Sequence, residues 1–173
     1  MMTEEGLTNT FVEQVANIVQ PNYYIHVVSC EDLIEKFDTH FEDEHSIIIN
    51  SALRSQTSGH FALFHIRPET REIRVYCSLN MILRDQNVAN YVKNVRKAHP
   101  DFTFETSPFQ GQSFLSSMCG VWALSFLAST TKAGGQLSME KFYSKFSKID
   151  LVKNDRICLR YLLDFILHKL YKH

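Results

Sequence analysis

The sequence predicts an α+β fold: a central mixed β-sheet packed against a buried helix, with a helical C-terminal part. Three observations lead there. Short runs rich in β-branched and aromatic residues gather between residues 23 and 77. Helical spacing of apolar residues dominates the last third instead. Joining the two, nearly every residue from Cys119 to Ala128 is apolar or small, as a helix buried on most sides requires. A helix, then strands, then helices is an α+β order.

Each element has its own local reason. Thr8 to Gln20 reads as a helix, with Phe11, Val12, Val15 and Ile18 on one side and Pro21 beyond its end. Tyr23 to Ser29 is a strand by composition, and a short helix is expected from Glu31 to Phe37. Ser46 to Ser51 is a short apolar run suited to a buried strand. The polar stretch Leu53 to Gly59 separates it from a second strand, His60 to Ile66. Arg67-Pro68-Glu69-Thr70 makes a turn, and Glu72 to Cys77 is the return strand. Val88, Tyr91, Val92 and Val95 mark a helix over Gln86 to Ala98, which Pro100 ends. Asp101 to Thr106 alternates as a half-buried strand does. After the apolar helix, Lys132-Ala133-Gly134-Gly135 breaks the chain, and two amphipathic helices close it, Ser138 to Phe146 and Asp155 to Leu170.

The 173 residues suit a single domain spanning 1–173, and a 45% hydrophobic content with thirteen Phe supplies its core. A net charge of −1 gives no global electrostatic case for nucleic acid. Local cations at Arg71, Arg74, Lys93, Arg96 and Lys97 read as a solvated face. Cys30, Cys77, Cys119 and Cys158 are too widely spaced for a zinc site, and scattered free thiols suit an intracellular compartment. No run is long and apolar enough for a membrane span, and no secretory signal is expected at the N-terminus. The eight histidines are dispersed.

A thiol attacks a carbonyl only as thiolate, so a catalytic cysteine needs a base or a positive field. Cys119 precedes Gly120 and opens the apolar helix, where the N-terminal partial charge stabilises thiolate and free N–H groups can face an oxyanion. A lone cysteine in an apolar helix is more often a small buried hydrophobe, which is how Cys30, Cys77 and Cys158 read. Gln112 and Gln110, upstream of Cys119, are side-chain amides able to supply a second oxyanion donor. His60 follows a glycine and opens a strand, so its ring can project from the sheet's end. His65, on the same strand, reads as an ordinary packed or surface histidine. Spacing alone does not pair His60 with Cys119.

Residues 47–80 (IIINSALRSQTSGHFALFHIRPETREIRVYCSLN) and the segment QGQSFLSSMCG together resemble the adenovirus protease (adenain) family. That family belongs to the clan that also holds the SUMO-deconjugating proteases. Phe61 stands where the family has Trp. The resemblance runs from about Tyr23 to the C-terminal helix, and it implies an adenain-like fold whose buried helix carries the nucleophile. It implies His60 as base, Cys119 as nucleophile and Gln112 as oxyanion donor, with Gln110 matching by its following Gly111. The family's third member, an Asp, Glu or Asn that orients the histidine, falls on Cys77 in the direct register. A thiol serves there as an anion only through unusual ionisation. Asn80, three residues on, is an amide able to hold the tautomer; either it takes the role or the site is a Cys–His dyad.

The resemblance further implies a cysteine endopeptidase cleaving viral capsid or core precursors during virion maturation, at Gly-rich sites, in the host cell and packaged in the virion. It implies no metal and no cofactor. The family's enzyme draws on a peptide activator and on DNA; the near-zero charge argues against DNA dependence here. Competing expectations on the same scaffold are a ubiquitin- or SUMO-like isopeptidase, an effector acyltransferase, and a degenerate binding module.

Overall fold

Five strands build one mixed sheet in the computed structural model, which describes residues 7–21, 25–33, 42–51 and 59–171. They are β1 (Ile25–Ser29), β2 (His45–Asn50), β3 (Phe61–Arg67), β4 (Glu72–Tyr76) and β5 (Thr103–Thr106), and they lie side by side in chain order. The outer pairs, β1 with β2 and β4 with β5, are parallel. The inner pairs are antiparallel, with Ile48 opposite Leu63 and Leu63 opposite Tyr76. This is the mixed sheet of the expected α+β class.

Alternation along the strands sends side chains to two cores. Ile48, Phe61, Leu63 and Tyr76 face α1 (Asn9–Val19), α3 (Cys119–Thr130), α4 (Met139–Tyr143) and α5 (Leu151–Tyr171). Ile47, Ile49, Ala62, Phe64, Val75 and Cys77 face α2 (Gln86–Ala98), where Val88, Tyr91, Val92 and Val95 meet them. Phe64 meets Tyr91 edge-on, ring centres 5.5 Å apart. A sheet buried on both faces explains why β2 and β3 read as continuous apolar runs rather than alternating ones.

Helix starts follow local chemistry. Thr8 accepts from the Phe11 N–H, Asp85 from the N–H groups of Asn87 and Val88, and Ser138 from that of Lys141. Every residue of α3 after Cys119 is buried, and its start, at Met118, has no side-chain cap. The N-terminal segment closes on it: a Cβ at Gly120 would stand 3.0 Å from Leu7 Cδ1 and 3.3 Å from Val12 Cγ2, so glycine admits this contact.

Boundaries differ from expectation in a few places. Cys30–Asp32 is a single 3₁₀ turn, and the rest of the short helix expected to Phe37 lies largely outside the described residues, as do residues 22–24 and 52–58. α4 is shorter than the expected Ser138–Phe146, and α5 begins four residues earlier, at Leu151. A 3₁₀ turn at Ile82–Arg84 fills the segment between β4 and α2, which has no period of its own in the sequence.

Candidate active site

The sheet end and the start of α3 bring Cys119 and the His60 segment together. Cys119 Sγ lies 3.9 Å from the carbonyl oxygen of Gly59, and the Phe61 N–H also faces the sulfur. The two residues flanking His60 thus both touch the thiol. Cys119 is partly exposed, whereas Cys30, Cys77 and Cys158 are buried. Its own N–H and that of Gly120, at the uncapped start of α3, are directed at the sulfur as well.

Those amides favour thiolate, but burial acts more strongly and pushes the Cys119 thiol up. Burial likewise lowers His60 from its ordinary 6.5 to about 4. The helix start therefore favours thiolate, and desolvation outweighs it. Around pH 7 this leaves both the thiol and the imidazole neutral.

The His60 ring turns its Nε2 to Cys77 Sγ, 3.2 Å away. Strand register explains the contact. Continuing the β3–β4 ladder one step sets Ala62 opposite Cys77, so His60 lies diagonally across from it on the same face. Cys77 N–H is tied to Ser107 Oγ at 2.9 Å, and its sulfur accepts from the Met81 N–H at 3.3 Å. Burial pushes this thiol up too, opposed by the N–H groups of Met81, Ile82, Leu79 and Asn80. Asn80 itself occupies the tip of that turn, exposed, with φ at +53° and its N–H on the Cys77 carbonyl at 2.9 Å. Among the described residues no hydrogen bond joins its side-chain amide to His60.

Gln112 is buried, and its side-chain Oε1 accepts from Ser78 Oγ at 2.6 Å while its Nε2 donates to the Ser116 backbone carbonyl at 2.7 Å. One amide hydrogen of Nε2 is not used by that bond. Gln110 donates to the Gln112 carbonyl at 2.8 Å, so the two glutamines brace one loop rather than sharing a role. Ser78 also accepts, through its carbonyl, from the N–H groups of Gly111 and Gln112 at 2.8 and 3.1 Å.

Behind the loop stand residues that carry no signal in the sequence. Asn154 Nδ2 donates to the Gly111 carbonyl at 3.1 Å, and Asp155 accepts from Trp122 Nε1 at 2.8 Å and from the Ser113 N–H at 3.4 Å. A Cβ on Gly111 would come within 2.7 Å of the Trp122 ring. Asn154 and Asp155 in an amphipathic helix look like solvated polar residues; only the docked loop gives them partners. His65, at the far end of β3, is fully buried, 2.9 Å from Ser46 Oγ and 3.2 Å from Glu44 Oε1. Among the described residues no group of His, Cys, Asp and Glu is arranged to hold a metal ion, and no helix is long and apolar enough to cross a membrane.

No family model matches the sequence, and no characterised protein matches it at the sequence level. Solved structures do match in three dimensions. A selenomethionine crystal structure of the ASFV pS273R protease aligns with a TM-score of 0.61 at 12% identity, over 93% of this chain and 68% of that one. A second crystal structure of that protease gives 0.57 at 12% identity, over 91% and 67%. ChlaDub1 from Chlamydia trachomatis gives 0.52 at 10% identity, over 98% and 82%. At such identities the likeness is one of fold, and the fold is the mixed sheet with its helices that this chain shares with those proteins.

Proposed function

We propose that the chain is a cysteine protease in which Cys119 is the nucleophile and His60 the base. The observation that carries this reading is the thiol at the uncapped start of a buried helix, in contact with both neighbours of a strand-end histidine. It is supported by the fold shared with the ASFV pS273R protease.

In this reading the Cys119 proton passes to Nδ1 of His60 as the sulfur attacks the acyl carbonyl. The resulting oxyanion is met by the N–H groups of Cys119 and Gly120 and by the spare amide hydrogen of Gln112. The imidazolium then protonates the leaving amine, and water hydrolyses the thioester. Because both groups rest neutral, His60 acts as general base during the attack rather than as a preformed imidazolium. The substrates are proteins. Cleavage of viral capsid or core precursors at Gly-rich sites, inside the host cell, is the finer form of the proposal, and it rests on the family resemblance. A peptide activator belongs to the same finer form.

The test is hydrolysis of a panel of Gly-Gly-containing peptides by wild type and by Cys119→Ala. Cleavage by wild type is expected to fall at least about 10³-fold in the variant. Hydrolysis that survives the loss of the thiol would refute the assignment.

A further inference from the structure

Resting on that reading, we propose that Cys77 is the positioning residue of the site: its sulfur accepts the Nε2 hydrogen of His60, fixing the ring so that Nδ1 keeps its lone pair for the Cys119 thiol. A third group commonly holds the tautomer of a general base beside a nucleophile. The 3.2 Å Nε2–Sγ contact is that hold, and it follows from the β3–β4 register.

A thiol sulfur is ordinarily a weak acceptor. Here its position is fixed by the backbone that follows it. The turn through Asn80, with φ at +53°, curls the backbone so that the Met81 N–H lies 3.3 Å from the sulfur and its neighbours' amides face it. Those amides hold the sulfur in place, and burial, which outweighs them, keeps the thiol neutral. Asn80, which is exposed, therefore contributes through its backbone conformation. Cys30 and Cys158 are no models for Cys77. The first faces the Ser51 carbonyl at 3.7 Å and the side chains of Asp85 and Asn87, and the second is core filler on α5. The titratable groups facing Cys77 are His60 ahead of β3, Cys119 on α3 and Tyr143 on α4.

Alkylation by iodoacetamide tests this without a known substrate. The Cys119 sulfur–carbon bond forms, iodide leaves, and the thiol proton passes to His60. The rate at Cys119, read by peptide mass spectrometry on the full chain from pH 4 to 9, is compared among four proteins. Cys77→Ala is expected to slow the plateau about tenfold. Cys77→Ser, which keeps an acceptor, stays within about threefold of wild type. Cys77→Asp moves the acid limb upward by about one to three pH units, because a carboxylate favours imidazolium. Thermal melts confirm folding; should Cys77→Asp fail to fold, the Ala–Ser pair decides. A Cys77→Ala protein with the wild-type rate and pH profile overturns the inference. So does Asn80→Gly, which keeps the left-handed turn, if it slows Cys119 while Cys77→Ala does not. Failure of the protease reading looks different: His60→Ala then leaves the Cys119 rate and its pH profile at the wild-type values, whatever stands at 77.

Discussion

A thiol and an imidazole taken partly out of water together lose charge on both sides. His60 falls to about 4 because its surroundings cannot solvate imidazolium, and the Cys119 thiol rises for the mirror reason. The consequence for the reaction has a definite sign. His60 must be neutral to accept a proton, and it is neutral above its own pKa. Activity that depends on Cys119 should therefore hold from neutral pH down past 6.5 and fall only as the pH approaches about 4. The profile of kcat/KM against pH checks this. An acid limb centred at 6.5 would mean an imidazole solvated as in water, contrary to its burial. The same residue scale shows why Cys77 was hard to judge from the sequence. The register sets it diagonally across from the histidine, but whether its sulfur meets the ring depends on the turn that only the folded chain supplies.

At the scale of elements, the site is an alignment problem solved by α3 and the loop that precedes it. The Gln–Cys-Gly pattern and the apolar run made the buried helix legible, since a helix apolar on all sides has nowhere to be but the interior. The loop from Gln110 to Met118 was not legible as a structure, because no periodicity describes it. Its shape comes from Ser78 on one side and Asn154 and Asp155 on the other. Gly111 is the tightest point of that seam, since any Cβ there meets the Trp122 ring at 2.7 Å. Trp122 cannot retreat, being fully buried and bonded to Asp155. Gly111→Ala should therefore cost about 1–3 kcal/mol of stability, seen as a fall in Tm, and should lower turnover more than substrate affinity by displacing Gln112. A variant with unchanged Tm and kcat would show that the loop yields easily.

For the whole molecule, a mixed sheet with buried strands packed against a buried helix was legible, while its cover by helices on both faces shows only in the fold. Strand order was not, because parallel pairing of β1 with β2 and of β4 with β5 depends on contacts remote in sequence. Nor did the dispersed histidines announce that folding buries several of them neutral. His45, His60 and His65 all have lowered pKa values, each chiefly through desolvation; at His65 the Glu44 contact opposes it without reversing it. In the unfolded chain each titrates near 6.5. Between that value and the folded one, the unfolded state binds protons that the native state refuses, so stability is fully present above 6.5 and declines as the pH falls. For His60 the decline ends at about 4. Urea unfolding at pH 7, 6 and 5 should show ΔG decreasing by up to about 1.4 kcal/mol per pH unit for each histidine involved. His60→Gln, which has no proton to take up, should remove about one histidine's share of that slope. A slope unchanged in the variant would mean that the His60 ring takes up its proton as readily in the folded chain as in the unfolded one, and the general-base assignment would lose its neutral imidazole.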